Sequence, residues 1–506
     1  MTSRPRPFAE DWTAQGTRRP PTTVANPLGA AGRVERPAVR SLSIGARFRH
    51  FEVDEIAAAP AVDTAGGLDL SPDGTEVVFA WDRPGDAQIF AAPLVGDRII
   101  QLTGDGRRSI APRWSPDGRQ VAFLRDEGDG WLQIALVDRD GERARTFTSE
   151  PLDHSDLAWS PDGRWIAYVA SAPGQRATLF LIDAGTGERR RLGDGQGDDS
   201  DPRWSPDGGR VLFSSRRDGR SDLFLTLPRG GAPSALAWRR GDEGSASQGL
   251  WSPDGSAIAF TIRTEGRGEI AVAHLREGAV ALERFSATPF DDSDPVWRPD
   301  GRGLVYRHRR DADVSLRRAF TVSHADEAVA DLPGTHFSAA VGRDSESVVA
   351  ILDQARRPAD VILRPRGGIE VQRITRSLPA TVDPGALVEP MVVSFPGDGG
   401  GVDALLYLPH TEALVSARPA AVLLFRAGPL TRRWDPLAQL IANQGHAVLI
   451  AATRDEAVRG GEWLRREGLA SAVTLYDEKA PPRESRADRI ERHRTVLAWA
   501  EQLRRT

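Results

Sequence analysis

The tetrapeptide Ser-Pro-Asp-Gly returns at a near-constant interval through two thirds of this 506-residue chain, and that periodicity constrains the fold more than any other feature. Copies begin at Ser71, Ser115, Ser160, Ser205 and Ser252. Arg298-Pro299-Asp300-Gly301 is a sixth copy and Gly342-Arg343-Asp344-Ser345 a divergent seventh, so the spacings are 44, 45, 45, 47, 46 and 44. In such a turn proline presets the second backbone position, aspartate bonds back to nearby backbone, and glycine takes a positive φ. Asp73, Asp117, Asp162, Asp207, Asp254 and Asp300 are therefore expected to be structural turn residues. Trp114, Trp159, Trp204, Trp251 and Trp297 each stand one residue ahead of a turn, and apolar β-type runs at 121–123, 166–168, 211–213 and 258–260 stand behind it. Strand, turn, strand is a hairpin, and third strands at 132–137, 178–182 and 222–227 extend it. Units of about 45 residues with roughly four strands each are what a propeller blade requires. A seven-bladed β-propeller is expected over residues 48–380.

Composition sets bounds on partners. With 40% hydrophobic and 27% charged residues the chain has the make-up of an ordinary globular protein with ample core. A net charge of -5 gives no whole-chain case for nucleic acid or an anionic membrane as partner. Cysteine is absent, which excludes disulfides, thiol nucleophiles and thiolate metal sites, and no metal or cofactor is expected. No apolar run is long enough to span a bilayer and the N-terminus lacks the apolar core of a secretory signal, so the expectation is a cytoplasmic protein. Residues 1–47, rich in Arg, Pro, Thr and Ala without periodicity, read as a mobile tail.

After Asp383-Pro384 the texture changes. Strands are expected at 391–395 and 404–408 around a Gly-rich turn at 397–401, with fully buried strands at 420–425 and 447–451. Helices are expected at 434–443, at 455–467 ending on Gly468, and at 489–504, with a strand at 472–476 between the last two. Strands alternating with helices imply a parallel sheet covered on both faces, over residues 385–506.

Several stretches carry a family likeness: Val393-Ser394-Phe395-Pro396, Leu406-Tyr407-Leu408-Pro409, Arg418-Pro419-Ala420-Ala421-Val422-Leu423-Leu424, and Leu440-Ile441-Ala442-Asn443-Gln444-Gly445-His446. Together with the repeats they resemble the prolyl oligopeptidase family of serine peptidases, which includes acylaminoacyl and dipeptidyl peptidases. The repeat alone is also similar to the periplasmic propeller of the Tol system. The resemblance implies a mainly β protein with a C-terminal α/β part: a seven-bladed β-propeller, followed by an α/β-hydrolase-like sheet that would carry a Ser, Asp and His triad.

The chemistry of that family is not visible here. Its fold needs a Gly-x-Ser-x-Gly elbow to lift a serine above the sheet, and no such pentapeptide occurs. After Met391 the serines are Ser394, Ser416, Ser471 and Ser485. Where the family has a His-Gly-Gly-Pro oxyanion loop this chain has Arg426-Ala427-Gly428-Pro429, a degenerate remnant. The stretch where the catalytic His belongs reads Tyr476-Asp477-Glu478-Lys479-Ala480. Only 116 residues run from Met391 to Thr506, where a full hydrolase domain has on the order of 250, so the sheet is expected to be contracted, with Glu462 to Gly468 resembling the family's last helix. The expectation is that no catalytic residue remains and that the propeller's opening and loop faces bind a peptide or protein partner. The alternative is a serine peptidase or esterase whose active site is non-standard or completed by another chain.

The remaining candidates have plain readings. His446 precedes a buried strand and reads as structural; His493, between Arg492 and Arg494, reads as a solvated helix residue. His154 adjoins Ser155 and Asp156, but loop neighbours seldom form a triad. Asp156, Asp201 and Asp294 recur three residues before a Trp, which points to local backbone bonds over metal binding. The runs 198–201 and 291–294 read as a solvated acidic rim. Arg426 either binds a carboxylate or pairs with Asp435 or Glu456.

Overall fold

Each repeat turn closes through the same short set of bonds. The serine hydroxyls of Ser71, Ser115, Ser160, Ser205 and Ser252 donate to Asp73, Asp117, Asp162, Asp207 and Asp254 at 2.5–2.6 Å. The amide two residues past each aspartate donates to the same carboxylate at 2.9–3.1 Å. These serine bonds hold the Asp73, Asp162, Asp207 and Asp254 carboxyls below the usual range. The five glycines take φ of 68–75°, which glycine alone adopts without strain. In the sixth turn Asp300 accepts from the Arg302 amide and from Arg298, at 2.9 and 2.7 Å. The divergent seventh copy makes the same turn: Asp344 accepts from the Glu346 amide at 3.0 Å, and Ser345 takes the glycine position at φ 59°.

The computed structural model describes residues 50–502 apart from 143, 237–243, 277–278, 287–288, 322, 324–325, 331, 369, 398–399, 411–418 and 477–485. The tail expected at 1–47, Arg418, the tip of the turn at 398–399, Ser416, Ser485 and the 477–480 stretch lie outside the described residues.

Around these turns the protein is mainly β, built of propeller-like sheets. Five are four-stranded antiparallel meanders, whose first strands are Leu68–Leu70, Ser109–Trp114, Asp153–Trp159, Asp198–Trp204 and Ser245–Trp251. An eight-stranded sheet follows, its two parts beginning at Asp291–Trp297 and Thr335–Val341 and joined by the parallel pair Val314 and Thr335. First strands touch in chain order, and Thr335–Val341 touches Leu68–Leu70. The turns stack in the same sense: Pro72 lies over Gly118, Pro116 over Gly163, Pro161 over Gly208 and Pro206 over Gly255, while Arg343 of the seventh turn lies over Gly74 of the first.

Tryptophan ties neighbouring sheets. The indoles of Trp159, Trp204 and Trp297 donate to the carbonyls of Arg113, Ala158 and Leu250, one repeat back, each at 3.1 Å. The register of the first strands slips by a bulge just ahead of these residues. There Ala111, Asp156, Asp201, Gln248 and Asp294 have φ of 51–59°.

The acidic runs do not form a solvated rim. Asp199 and Asp292 are 2% and 0% exposed, because they lie on inner strands where alternate side chains enter the core. Asp199 accepts from the Ser215 hydroxyl and the Leu179 amide, and Asp292 pairs with His308 at 2.7 Å. Asp198 and Asp291 take the amides of Ala177 and Gly268.

The last sheet has the order Met391–Gly397, Gly400–Tyr407, Ala447–Ala451, Ala421–Phe425, Val473–Leu475. The first two strands form a hairpin and the last three are parallel. Among the described residues four α-helices accompany it: α1 (Val53–Ala57), α2 (Pro436–Asn443), α3 (Arg454–Arg466) and α4 (Arg486–Gln502). Val422, Leu424, Val448 and Ile450 share a core with α2 and with residues of α1 and α4. Leu423 and Leu449 point the other way, against Gly460 and Gly461 of α3, where a β-carbon would come within 2.5–2.7 Å of them. This sheet is thus covered on both faces. Helix α2 starts later than its periodicity suggests, because the Trp434 amide is drawn to Asp353 at 2.7 Å and Asp435 caps the helix through the Ala438 amide at 2.9 Å. Among the described residues no helix is long and apolar enough to cross a membrane.

Candidate functional site

Strand Ala421–Phe425 is buried until its last residue and delivers Arg426 to the C-terminal end of the parallel strands, where ligands approach open α/β sheets. The Arg426 guanidinium pairs with Asp435 at 3.2 Å and donates to the Phe425 carbonyl. Glu456 is engaged instead in the N-terminal capping box of α3 with Thr453. Within the remnant loop Gly428 has φ 107°, and Ala427 is not among the residues held at positive φ, so its methyl group imposes no backbone strain. The loop is then stitched to the propeller-like sheets: Arg432 pairs with Asp313 at 2.6 Å, and its amide donates to the Ala312 carbonyl at 2.7 Å.

Between these layers lies a cavity of about 440 Å³. Its walls include Asp63, Asp82, Asp86, Arg108 and Asp353 from the propeller-like layer, and Arg426, Arg433, Asp435, Arg489, Arg492 and His493 from the other. No serine is among the described lining residues. Burial pushes the Asp353 carboxyl up to about 7 against the opposing pull of the Trp434 amide. Burial also pushes His493 down to about 4, and Arg492 below its usual value. His493 is thus not a solvated helix residue: it is 1% exposed, with Nδ1 2.5 Å from the Arg489 carbonyl, because α4 turns this face toward α2 and the cavity.

The other sequence candidates are scattered. His446 is buried, its amide bonded to the Ile441 carbonyl. His154 is buried and bonds the Leu132 carbonyl at 2.8 Å, while Ser155 faces Asp156 at 3.4 Å, so the three make no relay. Asp156, Asp201 and Asp294 do not bind local amides. Two of them reach neighbouring strands: Asp156 accepts from the Asp201 amide at 3.3 Å, and Asp294 from Arg307 at 2.6 Å and from the Gln248 side chain, while Asp201 lies 3.9 Å from Arg203 of its own strand. With Arg113 and Arg203, Asp201 and Asp294 line a second cavity of about 340 Å³ among the first strands. There burial raises the Asp201 carboxyl and lowers the Arg113 guanidinium. Among the described residues no cluster of three His, Asp or Glu is placed to hold a metal. Arg108, Asp353 and Arg433 carry no sequence signal, since they come from turns and strand ends far apart in the chain.

A family profile described as the TolB beta propeller domain matches residues 46–177 and 156–340, more than half of the chain. The chain belongs to the TolB β-propeller domain family. Among curated members of this propeller class, Tol-Pal system protein TolB of Anaeromyxobacter dehalogenans is 35% identical over 83 residues, 16% of this chain and 18% of that protein. Dipeptidyl-peptidase 5 of Porphyromonas endodontalis is 32% identical over 92 residues, 17% of this chain but 13% of the peptidase. The matches thus span under a fifth of the curated relatives. Solved structures share far more of the fold. A puromycin-hydrolyzing peptidase of Mycobacterium tuberculosis superposes with a TM-score of 0.70 at 18% identity, over 84% of this chain and 74% of that one. The acylaminoacyl peptidase of Pyrococcus horikoshii gives 0.61 at 15% identity, over 84% and 75%. The TolB-type propeller here therefore sits within the fold of the prolyl oligopeptidase and acylaminoacyl peptidase family.

Proposed function

We propose that this chain is a catalytically silent relative of those peptidases that binds a peptide or protein partner. In this reading the eight-stranded sheet counts as two blades, giving a seven-bladed propeller, and the five-stranded sheet is α/β-hydrolase-like. The partner enters through the propeller's opening or its loop faces. The observation that carries the reading is the lining of the inter-layer cavity. Acyl transfer needs a nucleophile next to a base, and the described walls, which Arg426 of the remnant joins, offer arginine, aspartate, one neutral histidine and the Thr64 hydroxyl, but no serine; Gly428 and Pro429 line a separate cavity of about 320 Å³ that also has no serine among its described lining residues. The absence of a Gly-x-Ser-x-Gly elbow from the sequence agrees with it. Purified protein treated with a fluorophosphonate probe, and assayed on chromogenic esters and aminoacyl substrates, is expected to show neither labelling nor turnover. Stoichiometric labelling of one serine overturns the reading.

One observation favours the alternative of a peptidase or esterase with a non-standard or externally completed site. Ser485 stands in the sequence between strand Val473–Leu475 and helix α4, the helix that carries His493, and lies outside the described residues. The superposition on a puromycin-hydrolyzing peptidase agrees equally with it. Peptide mapping of any labelled protein decides: this alternative requires the probe on Ser485 or on another serine that folding brings near His493.

A further inference from the structure

Among the five repeats with a positive-φ residue other than glycine at the bulge of the first strand, Asp201 and Arg203 are the one pair that puts an acid on the bulge and a base two places beyond it. Pro202 between them is buried, while the Asp201 and Arg203 side chains are 34% and 35% exposed and line the cavity of about 340 Å³ among the first strands.

The other charges of that cavity are committed. Asp294 accepts from Arg307 at 2.6 Å and from the Gln248 amide group, and Arg113 donates through Nη1 to the Gly66 and Pro112 carbonyls at 3.1 and 2.7 Å. Asp201 and Arg203 are not matched in this way. Arg203 Nη2 stands 3.9 Å from Asp201 Oδ1, beyond hydrogen-bond distance, and among the described residues the Arg203 side chain makes one bond, from Nη1 to the Pro202 carbonyl at 2.9 Å. The Asp201 carboxylate accepts no hydrogen bond among the described residues. Burial raises its pKa, and the nearby Arg203 offsets that only in part. One acid and one base, a short distance apart, thus face the same space with acceptors and donors unspent.

We propose that this cavity binds a free α-amino acid with an apolar side chain, its ammonium on the Asp201 carboxylate and its carboxylate on the Arg203 guanidinium. The inference goes beyond the partner-binding reading and does not rest on it. An α-amino acid carries both charges on one carbon, so it can lie across a pair whose members are 3.9 Å apart and make a charge-assisted bond to each. A peptide carries those charges at opposite ends, and an inorganic ion supplies one of them. Arg113 and Arg307 on the walls oppose a polycation, while Asp294, with Asp156 nearby, opposes a polyanion. Leu68, Leu250, Val296 and Phe337 line the same cavity and favour an apolar side chain. At about 340 Å³ the space is of small-ligand size, within the roughly 300–1,000 Å³ typical of such sites.

The test is equilibrium dialysis of the full chain against an equimolar mixture of L-valine, L-leucine, L-methionine and L-phenylalanine, and in parallel against their N-acetyl and their amide forms, with retained species read by mass spectrometry. The expected result is retention of at least one free amino acid about tenfold above both of its blocked forms, since each blocked form lacks one of the two charges. Asp201→Asn and Arg203→Gln are each expected to bring retention down to the level of the blocked forms, with a cooperative melting transition as the check that the variant folds. Retention of none of the four, equal retention of free and blocked forms, or undiminished retention in either folded variant overturns the proposal. The comparison of free with blocked forms needs no variant, so it decides even where a variant fails to fold. Labelling of a serine by the fluorophosphonate probe, which sinks the catalytically silent reading, leaves this result untouched.

Discussion

Asp353 shows how one side chain ties the two layers together at an electrostatic cost. It is 8% exposed, and its oxygen fixes the Trp434 amide ahead of α2. Burial raises its pKa from 3.8 to about 7, so the folded state binds the proton more tightly than the unfolded chain does. Its contribution to stability is therefore full below pH ~4 and is lost as pH rises toward ~7, by on the order of a few kcal/mol. Asp353→Asn keeps the oxygen acceptor and removes the charge. The expected outcome is a melting temperature above that of the parent at pH 8, with the gap closing toward pH 4. A gap that stays constant across that range would mean that the carboxyl is already neutral or is well solvated. Part of the gain is offset, since the new amide brings N–H groups that need acceptors in a buried place.

At the scale of elements, the repeat separates what a sequence states openly from what it encodes only through folding. The turn was legible because all its partners lie within five residues: the Ser205 hydroxyl, the Asp207 carboxylate and the Gly209 and Arg210 amides. The periodic tryptophans were visible, but their partners lie 46 or 47 residues back, so the bond from one sheet to the preceding one had no local trace. The acidic runs misled for a related reason, since charge in a row looks solvated until the strand's alternation puts every second side chain inside. The inter-layer site was the least legible, because residues from Asp63 to His493 share no local pattern that folding would not have to supply. The tryptophan tie gives a matched comparison. Trp297 and Trp251 are 8% and 7% exposed, yet Trp297 donates its indole N–H to Leu250, while the Trp251 nitrogen has no partner among the described residues. Trp297→Phe is expected to lower stability about 1 kcal/mol more than Trp251→Phe, read as the difference in urea midpoints at equal slope. Equal losses in the two variants would assign the whole effect to ring volume.

For the molecule as a whole, the question is whether the propeller-like layer and the five-stranded sheet can come apart. The contacts between them are few but buried and directional. Gln439 of α2 is 1% exposed and fully engaged: its amide group donates to the Ala355 and Val388 carbonyls at 2.8 Å each, and its oxygen accepts from the Val388 amide at 2.8 Å. Arg432 reaches Asp313, and Arg489 of α4 reaches Asp82, just past the second strand of the first sheet. The chain is also interlocked, because α1 precedes the first sheet in sequence yet packs against α2 and α4, with the Phe51 amide held by the Asn443 side chain at 2.7 Å. Unfolding either layer strips the other of a helix or of buried partners, so the two are expected to melt in one calorimetric transition, with a calorimetric to van't Hoff enthalpy ratio near one. Gln439→Ala leaves three backbone groups unpaired at about 1–3 kcal/mol each, and it removes the bond that couples the layers. It is expected to lower the transition and to raise the enthalpy ratio above one, as the layers begin to melt separately. Two resolved transitions in the parent protein would show that the interlock at α1 and the Gln439 bonds do not couple the layers. The inter-layer cavity would then be a moving cleft, and affinity for anything bound there would depend on how often that cleft is closed.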